Sequence, residues 1–161
     1  MAAAGSLMGK CLVRGAAAGE VMFSDVPLSF WGGVDPQTGV VIDTHPPLYG
    51  RCVTGKILAL PSGRGSCSGS GAIFEMLLGG TAPAALVFGH RESILTLGVV
   101  IASELFARTI PVVLLDQVDF AALTSLPAAT VVGGVIRPGV GLDDDQPPTD
   151  ALTVDRIGHQ V

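Results

Sequence analysis

The chain has 161 residues, one domain's worth at roughly 100–200 residues per domain. Apolar residues make up 48% and charged residues only 14%, with a net charge of −5. That excludes a disordered chain, and the lack of a basic patch argues against nucleic-acid binding. Mean hydropathy is high (+0.58), yet the longest apolar run, Ile94 to Leu105, is broken by Thr96, Ser103 and Glu104. It falls short of the ~20 residues that span a bilayer. The first ten residues do not read as a signal peptide. Cys11, Cys52 and Cys67 have no CxxC spacing, so neither a disulfide framework nor a zinc site is expected. The expected address is the cytosol. So few charges imply either a large partner interface or an unusually apolar surface.

In chain order, Cys11–Arg14 and Glu20–Phe23 are predicted strands joined by Gly15-Ala-Ala-Ala-Gly19. The segment Ser24–Cys52 is irregular and rich in Gly, Pro and Asp, a length usually reserved for functional loops. Within it Val40-Val41-Ile42 reads as a short strand. Lys56–Leu60 is the next strand, followed by a Gly/Ser stretch from Pro61 to Gly71 and an apolar helix through Ile73–Leu78 that ends at Gly79-Gly80. Ala84–Phe88 and Ile110–Leu115 are strands flanking a helix at Leu97–Ala107. Phe120–Leu126 is a short helix and Thr130–Ile136 a last strand. The β-α-β-α-β order from Ala84 onward implies parallel strands. The tail from Gly141, with Asp143–Asp145 and Pro147-Pro148, reads as a mobile linker, and Ala151–Ile157 as a short docking element.

Chemistry concentrates in Pro61-Ser62-Gly63-Arg64-Gly65-Ser66-Cys67-Ser68-Gly69-Ser70-Gly71, between a strand and a helix. Glycines let the backbone approach a ligand, and a helix N-terminus favours an anion or a developing alkoxide. The stretch matches neither a P-loop nor a GxSxG elbow. It suits an anion-binding or catalytic loop, or a structural helix cap, for which serine is well suited. Trp31, the single tryptophan, lies in Ser29-Phe30-Trp31-Gly32-Gly33. Its loop either lines a pocket or partner surface, or plugs a hydrophobic hole. His45 precedes Pro46-Pro47 and reads as a structural histidine more readily than as a catalyst. Cys67 reads as a small packed residue, Cys11 and Cys52 as core, His90 and His159 as surface.

Three segments together resemble the aconitase X swivelling domain: Pro27 to Gly39, Asp43 to Gly50, and Gly63 to Ser70. The resemblance runs from about Gly9 to Gly139. It implies a swivelling β/β/α fold (class α/β, with a parallel sheet in the C-terminal half) over residues 1–140, followed by an acidic, Pro-containing tail at 141–161. It further implies the small subunit of a hydro-lyase that dehydrates a hydroxy acid, with iron or an iron–sulfur cluster held by the aconitase X large subunit and no metal ligand here. Two substrates are implied: cis-3-hydroxy-L-proline, giving a pyrroline-2-carboxylate, and mevalonate 5-phosphate. The arginine- and alanine-rich composition favours the first.

By resemblance to the Gly-Ser-Ser-Arg loop of aconitases, Ser66 is the general base. Arg64, Gly65 and Ser68 shape its loop. Ser29, Phe30, Trp31, Gly32 and Gly33, with His45, surround the substrate. Ser68 stands where the aconitase loop has arginine, and Arg64 is the candidate to replace that charge. Phosphohistidine carrier domains share the swivelling architecture but need a histidine at the head of the second helix, where this chain has Leu95-Thr96-Leu97-Gly98. A non-catalytic binding module is the remaining alternative.

Overall fold

The computed structural model describes residues 5–45 and 47–139. The tail expectations, and His159, lie outside the described residues. Eight strands form one mixed sheet: β1 (Leu7–Met8), β2 (Lys10–Val13), β3 (Ala16–Phe23), β4 (Ile57–Leu60), β5 (Ala85–Phe88), β6 (Val112–Leu114), β7 (Ala128–Val132) and β8 (Val135–Pro138). Their spatial order is β1-β8-β7-β3-β4-β5-β6-β2. The helices are α1 (Gly69–Gly79), α2 (Ile94–Phe106) and α3 (Gln117–Ala122), the last running into a 3-10 turn at Leu123–Ser125.

Strands β3, β4, β5 and β6 are mutually parallel, whereas β7, β8, β1 and β2 pair antiparallel. The parallel block thus begins before Ala84, and the β-α-β-α-β reading holds only through β6. The predicted strand Thr130–Ile136 is instead the middle of a hairpin, because Gly133-Gly134 turns the chain with Gly133 at φ 57° and Val132 opposite Val135. The expected Ala-rich connector is the first half of β3. Its small side chains admit close neighbours: a Cβ on Gly19 would lie 2.8 Å from the Gly55 carbonyl oxygen. Val40–Ile42 forms only isolated bridges, to Val34 and Cys52.

The two ends of the strand order, β1 and β2, are separated in sequence by Gly9 alone. Gly9 N–H donates to the Gly134 carbonyl at 2.8 Å, so the sheet curls almost into a barrel. Period-2 alternation then sends side chains to two cores. Ile57, Ala59, Ala85, Val87 and Val113 point to the barrel side, capped by Phe120 and Leu123. Leu58, Leu60, Leu86, Phe88 and Val112 meet α1, α2 and the long loop. Both crossover helices therefore lie on one face. Gly80 ends α1 in the left-handed conformation, as expected. Among the described residues no helix is long and apolar enough to cross a membrane.

Candidate active site

Because β3 to β6 are parallel, the loops after β3, β4 and β5 leave from one end of the sheet. There the Gly/Ser loop after β4 lies beside the loop after β3. Gly63 bridges Leu28 in parallel, and Arg64 N–H donates to the Leu28 carbonyl at 3.1 Å. Gly65 has φ 96°, and a Cβ there would stand 3.0 Å from Ser29 Oγ. Ser66 is exposed, and its Oγ accepts the Ser68 N–H at 3.0 Å. Its carbonyl accepts Gly69 N–H at 3.1 Å, which opens the turn leading into α1. Ser66 thus caps that turn and also presents its hydroxyl to solvent. Ser68 is exposed beside it, and its carbonyl takes the Gly71 and Ala72 N–H groups.

Asp43 links this loop to the second motif. Its Oδ2 accepts Arg64 Nη2, while Oδ1 accepts the His45 main-chain N–H at 3.1 Å and meets His45 Nδ1 at 3.0 Å. The Asp43 side chain is 8% exposed and the His45 side chain 73%. Burial pushes the Asp43 carboxyl up. The bonds from the His45 main chain and ring, together with the Arg64 guanidinium, outweigh that and hold it below its ordinary range.

The third motif folds against the other two. Gly33 carbonyl accepts both Ile42 N–H (2.9 Å) and Asp43 N–H (3.0 Å). Ser29 Oγ donates to the Trp31 carbonyl at 2.9 Å. Phe30, 1% exposed, is core, whereas Trp31 is 64% exposed. Phe30 plugs a hydrophobic hole, and Trp31 with the neighbouring Gly32 faces outward. An open groove runs beside Trp31 between Gly32, Ile42, Ala72 and Glu75.

Sequence reasoning overlooked Asp43, quoted only as part of a motif, and Glu92. The latter is 7% exposed, and its carboxylate accepts the N–H groups of Ile94, Leu95 and Thr96 at 2.9–3.2 Å. It caps α2 three residues earlier than the helix was expected to begin. An acidic residue just ahead of an apolar run was the available signal. A Cβ on Gly63 would lie 3.1 Å from Glu92 Oε1, so the Ser66 loop rests on this cap. The cysteines differ from expectation. Cys67 and Cys52 are exposed and Cys11 is half-buried, because all three lie on loops or an edge strand rather than under the helices. Among the described residues no three His, Cys, Asp or Glu side chains are grouped to hold a metal ion.

The family model for the aconitase X swivel domain matches residues 6–137. The chain belongs to that family. This aconitase X swivel domain is 55% identical over 128 residues to the cis-3-hydroxy-L-proline dehydratase of Hypocrea jecorina, covering 80% of this chain and 22% of that protein. It is 45% identical to the Pseudomonas aeruginosa enzyme of the same name, covering 86% and 23%. It therefore spans less than a quarter of those two relatives. Identity to the phosphomevalonate dehydratase small subunit of Thermococcus onnurineus is 42% over 119 residues, covering 74% of this chain and 85% of that one. Its fold matches the holo-form crystal structure of Thermococcus kodakaraensis aconitase X with TM-score 0.70 and 35% identity, covering 83% of this chain and 98% of that one. The expected α/β swivelling architecture is therefore the observed one, built on a mixed sheet.

Proposed function

We propose that this swivel domain works as the small-subunit part of a hydro-lyase, with Ser66 as general base and cis-3-hydroxy-L-proline as substrate. One observation carries the reading. Ser66 Oγ is exposed where the three family motifs meet, and it accepts a main-chain N–H at the turn that opens α1. An unassisted serine hydroxyl is a very weak base. A donor N–H and the positive end of a helix both stabilise its alkoxide. The carbon α to the substrate carboxylate gives its proton to Ser66 Oγ. The freed electron pair forms the C2=C3 bond as the C3–O bond breaks, and the departing hydroxide takes up the proton collected by Ser66, giving a pyrroline-2-carboxylate and water and restoring the base.

Arg64 is tied to Asp43, so stabilising the alkoxide falls mainly to the loop N–H groups, and Arg64 serves to shape the loop. In this reading Gly65, Ser68, Ser29, His45 and the Trp31-Gly32-Gly33 turn line the substrate site around Ser66. The implied iron or iron–sulfur group is assigned to an aconitase X large subunit, where it would assist departure of the hydroxyl. The 55% identity to the Hypocrea jecorina cis-3-hydroxy-L-proline dehydratase, against 42% to the Thermococcus onnurineus phosphomevalonate dehydratase small subunit, favours that substrate. The extent of the match to the phosphomevalonate dehydratase small subunits makes mevalonate 5-phosphate the second reading.

The test is co-expression with the large subunit and assay on both compounds. Ser66→Ala should lower turnover by about 10²–10⁴-fold, the range for a lost acid–base group, with co-purification unchanged. Normal activity in that variant overturns the assignment of the base.

A further inference from the structure

Asp43 is bonded to all three motif segments. Its main-chain N–H donates to Gly33 in the Trp31 turn, Oδ2 accepts Arg64 two residues before Ser66, and Oδ1 faces His45. A carboxylate can only accept hydrogen bonds. A neutral His45 ring set against it must carry its proton on Nδ1, leaving Nε2 as a lone-pair acceptor. The anchor is nearly buried and the ring is mostly exposed, so this acceptor is open to an incoming group.

We infer that Asp43 is a positioning residue: it holds neutral His45 in the Nδ1–H tautomer, so that Nε2 accepts a hydrogen bond from a donor on the substrate, while its second oxygen anchors the Ser66 loop through Arg64. The donor class is a hydroxyl or the secondary ammonium of a cyclic imino acid, since a carboxylate or phosphate dianion offers Nε2 no proton. The substrate half of this inference rests on the hydro-lyase reading. The tautomer is a property of this chain alone.

The test uses the full chain with ¹⁵N-histidine. Long-range ¹H–¹⁵N correlation reads both ring nitrogens at a pH above the ordinary imidazole range. His45→Gln identifies the His45 signals against His90 and His159. Wild type should show Nδ1–H. In Asp43→Asn one carboxylate oxygen becomes a donor and the charge is lost, so the side chain can no longer accept from Arg64 on one side and from both the His45 main-chain N–H and the ring Nδ1–H on the other. The ring should then switch to Nε2–H. In the complex with the large subunit, Asp43→Asn should raise KM for the hydroxy acid at least ~10-fold, an effect distinct from the kcat loss of Ser66→Ala.

A wild-type Nε2–H ring overturns the inference even if the variant does not fold. So does a tautomer unchanged by Asp43→Asn. A switched tautomer with unchanged KM overturns the substrate contact. An active Ser66→Ala variant would remove the base assignment and leave the tautomer result standing.

Discussion

Gly33→Ala tests how tightly the three motifs are locked together. A Cβ on Gly33 would sit 1.9 Å from the Ser29 carbonyl oxygen, 3.0 Å from the Ser29 carbonyl carbon and 3.2 Å from Asp43 Cβ. Ordinary C···O contacts are about 3.3 Å or longer, so the two strands of the turn must separate by more than ~1 Å. Neither side yields easily. Leu28 and Phe30 are buried on one side of Ser29, and the Gly33 carbonyl holds Ile42 and Asp43 on the other. Overpacking costs about 1–3 kcal/mol, and one weakened main-chain bond adds about 0.5–1.5, giving about 1.5–4.5 kcal/mol. At roughly 3–4 °C per kcal/mol for a domain this size, Tm should fall by about 5–18 °C in a calorimetric scan. Gly32→Ala is the control. It has φ 71° and nothing within 4 Å of its would-be Cβ, so left-handed strain alone should cost about 1–2 kcal/mol. A Gly33→Ala midpoint equal to or above that of Gly32→Ala would refute the close packing.

Glu92→Gln replaces a nearly buried carboxylate that receives three N–H groups. It should cost about 1.5–3 kcal/mol in urea unfolding, the range for hydrogen bonds to a charged group. Asp43 has its folded pKa depressed, so its contribution is present above the unfolded value near ~3.9 and is lost as pH falls through the folded value. The urea midpoint of Asp43→Asn should lie below wild type at pH 7, and the two should converge in acid. Trp31→Ala should leave urea stability within about 0.5 kcal/mol because the ring is mostly exposed. On the two-subunit reading it should weaken association with the large subunit by at least ~10-fold in a titration.

Periodicity and punctuation made most of the fold legible. Pro61 marks the end of β4, Gly80 the end of α1, and the apolar runs of β4 and β5 carry the alternation that feeds both cores. What failed was decided by tertiary contact. Ala16–Ala18 have weak strand propensity and are strand because β7 pairs with them. The hairpin turn was readable in Gly133-Gly134 and was missed by extending one β-branched run across it. The three site motifs were legible as segments, but nothing in their spacing says that Asp43 joins Arg64, 21 residues away. The charge deficit implies either a large partner interface or an unusually apolar surface, and composition does not say where. Exposed apolar side chains occur at Trp31 and Ile42, and Leu97, Val100, Ile101, Leu105 and Phe106 expose a second set along α2.

The topology bears on why a serine here would need a second body. Strands β3, β4, β5 and β6 follow one another across the sheet without reversal, and both crossover helices lie on the same face. Such a sheet has no switch point, and therefore no crevice between oppositely directed crossovers to enclose a ligand. Ser66, Trp31 and His45 stand instead on an open rim, and each is exposed. An alkoxide there competes with water for its stabilising donors and is levelled by it. The same N–H group acts far more strongly once water is excluded. A base proposed on such a rim fits a reaction chamber closed by another surface, and the test is whether turnover appears only when the large subunit is added.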